Sequence, residues 1–163
     1  MCSISERMRQ PETFQPKRLS PATNSPENAL KAALGSLYPR RDLPISIYAR
    51  FVKIPDKGTV LNVSMQIDGE TLAFEEFGGK SRAVVDVLDI ALDDRGRFST
   101  FKQKLEIPQE VVLSKDGRFI KWTQPSPLPP GLYQVRVAVR DRQSGRTGSA
   151  MTWIEIPLPQ NSR

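Results

Sequence analysis

The sequence predicts an all-β protein, an antiparallel β-sandwich of about seven or eight strands with one short N-terminal helix and a disordered leader. From Ile45 onward, apolar and polar residues alternate with a period of two, which is typical of strands that bury one face. Clusters of Gly, Pro and Asp interrupt this alternation about every 8–14 residues. No helical pattern lies between the strands, and this absence argues against an α/β arrangement.

The chain begins with a leader that is followed by a helix. Residues 1–24 contain four Lys or Arg and three Pro without an apolar period, so we expect this leader to be disordered. Ser25 is a suitable N-cap, Pro26 suits the first helical position, and Gly35 can end the helix. The predicted apolar face of the helix contains Leu30, Ala33, Leu34 and Leu37. Residues 25–44 are therefore predicted to form a short helix and a linker.

The β-sandwich domain is predicted to occupy residues 45–157, and residues 158–163 form a tail. The predicted strands are 45–54, 58–68, 71–77, 82–94, 97–107, 116–124, 132–141 and 146–156. The second of them alternates strongly, with Leu61, Val63, Met65 and Ile67 on one face and Asn62, Ser64, Gln66 and Asp68 on the other. This pattern predicts a sheet with one buried and one solvated face.

The last hairpin contains a corner motif, Pro129-Pro130-Gly131, followed at once by an alternating strand. Its predicted core residues are Tyr133, Val135, Val137 and Val139, and its predicted solvent-facing residues are Gln134, Arg136, Ala138 and Arg140. A tyrosine at such a corner can bury its ring and donate its hydroxyl to upstream backbone. The motif resembles the E–F corner of immunoglobulin-like and fibronectin type III-like sandwiches. An antibody-type domain is excluded, because its inter-sheet disulfide needs two cysteines and this chain has one.

Three stretches resemble the C-terminal β-sandwich module of bacterial VWFA-related proteins, which also carry a von Willebrand factor A domain. These stretches are "DLPISIYARF", "VVDVLDIALDDRGR" and "LPPGLYQVRVAVRDRQSGRTGSAMTWIEIP". The resemblance covers roughly residues 28–157. The metal-binding Asp-x-Ser-x-Ser motif of the A domain does not occur in this chain, so none of that metal site is carried over. The resemblance implies an accessory, non-catalytic module whose partner is a protein or a companion A-type domain.

Composition limits the classes of partner. The net charge of +6 is divided equally between residues 1–44 and residues 45–163, so it forms no concentrated nucleic-acid footprint. The sequence contains no run of about 18 apolar residues, so no transmembrane helix is expected. The N-terminus has no apolar stretch of the signal-peptide type, so the chain as written has no export signal, although the modules it resembles belong to exported proteins. Its localisation is left open.

The residue inventory argues against an enzyme. The chain has no histidine and one cysteine, Cys2, which excludes Ser-His-Asp and Cys-His nucleophiles and metal sites built from His or Cys. The remaining acidic candidates are Glu75, Glu76, Asp86, Asp89, Asp93 and Asp94. Neighbouring acids in a strand face opposite sides, so they do not form a glycosidase-like pair. We therefore predict no catalytic, cofactor-binding or metal-binding residues and no cofactor.

A calcium site is the main alternative chemistry. Asp93, Asp94 and Asp141 lie in predicted loops, where carboxylate oxygens can gather around Ca²⁺. Aspartate is also favoured in turns because its side chain accepts hydrogen bonds from local amides. We expect these residues to be turn residues and do not expect calcium to bind.

Two further sets of residues allow a functional and a structural interpretation. Arg136, Arg140, Arg142 and Arg146 are predicted to form a solvated strand face that limits edge pairing, because no aromatic residues alternate with them as in a nucleic-acid site. Trp122 and Trp153 are predicted to fill the core, although exposed tryptophans would offer a platform for sugars. The predicted function is accordingly a non-catalytic interaction or structural module. The alternative is a module that binds a small ligand or a carbohydrate through exposed aromatics.

Overall fold

The computed structural model describes residues 25–36, 38–96 and 98–160. The predicted leader, Leu37, Arg97 and the last three residues lie outside the described part of the chain. The described residues form two helices and eight strands: α1 Pro26–Gly35, β1 Ile45–Ile54, β2 Gly58–Asp68, β3 Glu75–Phe77, β4 Lys80–Asp93, β5 Phe98–Pro108, α2 Gln109–Leu113, β6 Phe119–Pro127, β7 Gly131–Asp141 and β8 Thr147–Ile156. Within these ranges, no helix is both long enough and apolar enough to cross a membrane.

The strands form two antiparallel sheets, which confirms the predicted all-β sandwich. The smaller sheet has the order β1-β2-β6. In the larger sheet β4 lies between β5 and β7, β8 pairs with the other side of β7, and the short β3 pairs with the start of β4. Strands that follow each other in sequence, such as β1 and β2 or β7 and β8, are joined as hairpins.

The core lies between the two sheets, on the faces that the alternation predicted. Its fully buried residues include Leu61, Val63, Met65, Ile67, Val85, Val87, Val135, Val137 and Val139. Because successive strand residues face opposite sides, every second residue of β2, β4 and β7 contributes to this core. The hydrophobic effect of burying these side chains, about 1.5–3 kcal/mol for each Val, Leu or Ile, holds the sheets together without a disulfide.

Three local features differ from the sequence prediction. The strand expected over residues 71–77 is reduced to Glu75–Phe77, because Gly69–Thr71 forms a 3₁₀ turn capped by the Asp68 side chain. The helix α2 was not predicted, since five residues are too few to show a helical period. Strand β6 extends to Pro127 and tolerates its prolines because it is an edge strand, paired only with β2.

Helix α1 covers part of the outer face of the larger sheet. The Ser25 side chain caps it by accepting a 3.2 Å hydrogen bond from the Asn28 N–H. Leu30 and Ala33 pack on Ala138 of β7, and all three are fully buried or nearly so. The prediction that Ala138 faces solvent was therefore wrong, because the helix covers the face opposite the core.

The linker after α1 pairs with the first part of β8. Arg41 forms a β-bridge with Gly148, the Leu43 N–H donates to the Thr147 carbonyl, and the Ser149 N–H donates to the Arg40 carbonyl. A Cβ atom at Gly148 would collide with the Leu43 carbonyl oxygen, so a glycine allows this close approach. The linker then leaves β8 and enters β1 of the other sheet.

Candidate interaction surfaces

The corner before β7 has the predicted geometry. Tyr133 is 4% exposed, and its hydroxyl donates a 2.6 Å hydrogen bond to the Pro129 carbonyl oxygen four residues upstream. The bond fixes the chain where it enters β7. Consequently the alternation of β7 is set from its first residues, with Val135, Val137 and Val139 facing the core.

The two tryptophans have different environments. Trp122 is 8% exposed, donates a 2.6 Å hydrogen bond from Nε1 to Gln103 Oε1, and lies 6.2 Å from the Phe101 ring, so its predicted core position is confirmed. Trp153 is 60% exposed, and the prediction that it fills the core was wrong. It pairs with Gln134, which faces away from the core.

Trp153 belongs to an exposed group on the outer face of the last hairpin. We define the hairpin patch as Leu132, Gln134, Met151 and Trp153. Trp153 lies directly opposite Gln134 and diagonal to Leu132, and Met151 is the next residue of β8 on the same face. The Gln134 amide also contacts the Met151 sulfur at 3.7 Å. Three exposed apolar side chains therefore surround one amide.

Arg136 connects the hairpin patch to helix α1. Its Nη1 donates to the Leu34 carbonyl at 2.8 Å, near the C-terminal end of the helix, and its Nε donates to Gln134 Oε1, also at 2.8 Å. The first bond places a cation where the helix dipole is negative. The second fixes the orientation of the Gln134 amide within the patch.

The other predicted arginines do not form a common stripe. Arg142 makes a bidentate ion pair with the buried carboxylate of Asp86, with both N–O distances at 2.8 Å. Arg146 donates to the Thr71 carbonyl and to the Ser144 hydroxyl. Arg142 and Arg146 are exposed, as predicted, but Arg136, Arg142 and Arg146 each bond to a different part of the fold and so do not form one strand face.

The acidic candidates for calcium are separated by the fold. Asp93 lies at one end of the β4–β7 pairing, opposite Tyr133, and Asp141 lies at the other end, opposite Val85. Asp141 is fully buried and accepts hydrogen bonds from Ala73 N–H, Gln143 N–H and the Ser144 hydroxyl. The Arg95 N–H donates to Asp93 at 3.0 Å. Both act as turn residues, and within the described ranges no three potential ligands gather around one point.

Asp89, one of the acidic candidates for catalysis, has an unusual place in the fold. It lies on the core side of β4, opposite Phe101 of β5 and Val137 of β7, and is 6% exposed. Burial raises the pKa of its carboxyl to about 6, although a hydrogen bond from the Phe101 backbone partly offsets the effect. Asp86 is on the opposite face of the strand, so the two acids are not adjacent. The exposed Glu75 and Glu76 lie on β3, away from both.

A groove of about 520 Å³ lies between the β3–β4 hairpin and α2. Its wall contains Arg82, whose guanidinium lies 4.6 Å from the ring centre of the exposed Phe77 and donates to Glu106 at 2.7 Å. Among the described side chains, Arg82 Nε is the buried polar atom that has no hydrogen-bond partner. The Lys80, Arg82, Glu106 and Glu110 charges around the groove balance, so it has no clear preference for an anion or a cation.

The outer face of the smaller sheet combines neutral hydrogen-bonding side chains with two cations, Arg50 opposite Asn62 and Lys121 opposite Gln66. Tyr48 is 65% exposed at its edge and belongs to a row with Ser64 and Thr123, whose hydroxyls are 3.1 Å apart. Two shallow depressions of about 230 and 260 Å³ share the side chains of Ser46 and Gln66. This face was predicted from the alternation of β2, but Tyr48 was not singled out.

Comparison with known proteins gives only distant similarity. No protein-family model matches the chain, and no curated protein matches it. Similar solved structures include β-glucuronidase from Bacteroides uniformis, with 12% identity and a TM-score of 0.47 over 68% of this chain and 13% of that one. The putative ApaA protein from Bordetella pertussis has 16% identity and a TM-score of 0.45, covering 71% of this chain and 94% of that one. A structural-genomics target, SoR45, has 12% identity and a TM-score of 0.40, covering 75% and 91%.

Proposed function

We propose that the chain is a non-catalytic interaction module that binds a protein partner through the hairpin patch. The observation that supports this proposal is the exposure of Trp153 beside Met151 and Leu132 on one sheet face. Tryptophan and methionine are enriched where protein surfaces meet, and a large aromatic residue at the centre of a contact often dominates its energy. The arginine bond that fixes Gln134 reduces the entropy that the patch would lose on binding.

The resemblance to VWFA-related proteins suggests the context in which the module occurs. We propose that the module accompanies an A-type domain, in the same protein or in a neighbouring reading frame. The strand order and the bonded tyrosine corner support a fibronectin type III-like arrangement, which is compatible with that resemblance. The resemblance does not identify the individual partner protein, which the following experiment is designed to capture.

The proposal is tested by comparing the wild-type chain with Trp153→Ser and with Tyr48→Ser as a matched control. Trp153 and Tyr48 are both exposed, but they lie on different sheets. A partner captured from the source cell is purified and its affinity for each variant is measured. We expect Trp153→Ser to weaken binding by about 2 kcal/mol or more, which is about 30-fold, and Tyr48→Ser to leave it unchanged. Equal affinity for wild type and Trp153→Ser would refute the proposal.

A second candidate function is the binding of a neutral oligosaccharide on the outer face of the smaller sheet. The outward residues of β2 in this region are Asn62, Ser64 and Gln66, whose uncharged donors and acceptors suit sugar hydroxyls, and the neighbouring Arg50 and Lys121 add further donors. The exposed Tyr48 ring provides a stacking surface beside them. A glycan array probed with the wild type and with Tyr48→Ala tests this alternative. Binding that is lost in Tyr48→Ala but kept in Trp153→Ala would favour the oligosaccharide over the protein partner.

A further inference from the structure

Strand β8 has an open edge next to the hairpin patch. Thr147 and Ser149 direct backbone groups away from β7, since they bond to the linker. Because hydrogen-bonding direction alternates along an antiparallel strand, Met151, Trp153 and Glu155 direct their N–H and C=O groups to the same side. The linker passes close to Met151, since Ser36 and Pro39 line a small depression with it, but the backbone bonds between the described linker residues and β8 stop at Ser149. Within the described ranges, no backbone group pairs with this part of the edge.

The open part of β8 lacks the features that usually prevent edge pairing. Natural edge strands carry charged residues, especially lysine, or proline. The other edge strands follow this rule: β1 contains Arg50 and Lys53, β5 contains Lys102 and Lys104, and β6 contains Lys121, Pro125 and Pro127. Between residues 147 and 156, β8 contains no proline and one charged residue, Glu155. Its edge is therefore less protected than the edges of β1, β5 and β6.

We propose that this edge pairs with the same edge of a second copy of the chain, in antiparallel register across a two-fold axis at Trp153. The inference rests on the proposed function, since it names the partner of the hairpin patch. In this register Met151 of each copy lies opposite Glu155 of the other. All six N–H and C=O groups of Met151, Trp153 and Glu155 would then be paired in each copy.

Neighbouring registers are less favourable. A register centred on Glu155 would place two carboxylates opposite each other, which is destabilising. A register centred on Met151 would require Thr147 and Ser149, which already pair with the linker. Pairing beyond Glu155 is limited because Pro157 has no N–H to donate. The register at Trp153 is the one that avoids all three conflicts.

The paired sheets would bring the two hairpin patches together. A two-fold axis perpendicular to the sheet keeps both outer faces on one side, so the two Trp153 rings become cross-strand neighbours. Met151 of each copy flanks this pair, and burial of these side chains adds to the backbone hydrogen bonds. Because three residues per strand form a small contact, we expect a reversible dimer that depends on concentration.

The test exploits the two-fold axis, which places residue 153 opposite itself. Trp153→Lys and Trp153→Glu each put two like charges in contact across the axis, whereas a mixture of the two variants puts Lys opposite Glu. Since the side chain is exposed in the single chain, both variants are expected to fold, which circular dichroism checks. Sedimentation equilibrium should show a wild-type dimer, dissociation constants raised at least about tenfold for each variant alone, and recovery of the dimer in the mixture.

A cysteine variant tests the register independently. In a Cys2→Ser background, Trp153→Cys should form a covalent dimer under mild oxidation, because Cα atoms in a hydrogen-bonded antiparallel pair are about 5.5 Å apart, within disulfide range. Thr123→Cys is the control, since Thr123 is exposed on the other sheet. A wild-type chain that stays monomeric, or variants that dimerise as well as wild type, would overturn the proposed second copy. If the chain is monomeric but Trp153→Ser still abolishes binding of a purified partner, the proposed function stands without the self-pairing.

Discussion

Replacing Asp89 by Asn should stabilise the protein at neutral pH. The carboxyl group lies on the core side of a central strand, is 6% exposed, and forms no ion pair with the described residues. Its described hydrogen bond comes from the Phe101 backbone. An asparagine at this position has nearly the same shape, and its side-chain oxygen can accept the same bond without being charged. The substitution removes the cost of a buried charge, and it also introduces an amide NH2 group whose donors need acceptors that the carboxylate did not.

The magnitude follows from the pKa of the carboxyl, which burial raises from 3.8 to about 6. This rise corresponds to a free-energy penalty for the buried carboxylate of at most about 3 kcal/mol. Because the carboxyl keeps some contact with solvent, we expect the penalty to lie between about 1 and 3 kcal/mol. The folded state holds its proton more tightly than the unfolded state, so the contribution of Asp89 is fully present below pH 3.8 and is lost as pH rises through 6. Above that pH the ionised carboxylate opposes folding.

Urea denaturation at pH 4, 5.5 and 7 measures this contribution as the difference between Asp89→Asn and wild type. We expect the variant to gain about 1–3 kcal/mol at pH 7 and little at pH 4. The difference is used because salt bridges lower the pKa values of the exposed Glu27 and Glu106. Protonation of these two carboxylates at low pH destabilises wild type and variant alike, and the subtraction removes that shared effect. Asp94→Asn in the exposed turn is the control and should change stability by less than about 0.5 kcal/mol at each pH. A loss of stability for Asp89→Asn at pH 7 would refute the account.

Further substitutions and conditions probe the remaining contacts. Tyr133→Phe should cost about 1–3 kcal/mol in a urea melt, because it leaves the Pro129 carbonyl without its donor at a buried corner. Arg136→Ala should cost about 1–2 kcal/mol, more than an ordinary surface change, because it removes bonds to Leu34 and Gln134. A chelator should leave the thermal midpoint unchanged, since local donors already bond to the Asp141 carboxylate, and a calcium-dependent shift in the melting curve would contradict this. Acrylamide should quench about half of the tryptophan fluorescence readily, and protection of both tryptophans would contradict the exposure of Trp153.

Most of the sandwich could be predicted from the sequence because its strands follow a period of two and its turns contain Gly, Pro and Asp. The alternation of β2 and β7 gave the correct core faces, and the Pro-Pro-Gly corner gave the bonded Tyr133. The cap of α1 was also predictable, since Ser25 and Pro26 act through local geometry. These features depend on residues close in sequence.

One error arose where distant segments meet, and another arose where residue type and alternation disagree. Ala138 was assigned to solvent because its strand alternates, but helix α1 covers that face, and nothing in the strand itself indicates this cover. Trp153 was assigned to the core because a strand tryptophan usually packs there. The sequence contained the contrary signal, since Ile154 and Ile156 alternate with Trp153 and face the core. The alternation, and not the residue type, therefore indicates the face on which Trp153 lies.

The arginines explain why the edge of β8 is open although the hairpin is rich in positive charge. They were expected to limit edge pairing, but Arg136 lies on β7, which is flanked on both sides by β4 and β8 and has no edge. Arg142 and Arg146 lie in the turn and bond to Asp86 and Thr71. The arginines of this hairpin thus contact α1, β4 and the loop before β3. The linker covers the first residues of β8. The described backbone pairing of this edge stops at Ser149, so the exposed tryptophan and the unpaired part of the strand edge occur in the same half of β8. A single partner strand would cover both.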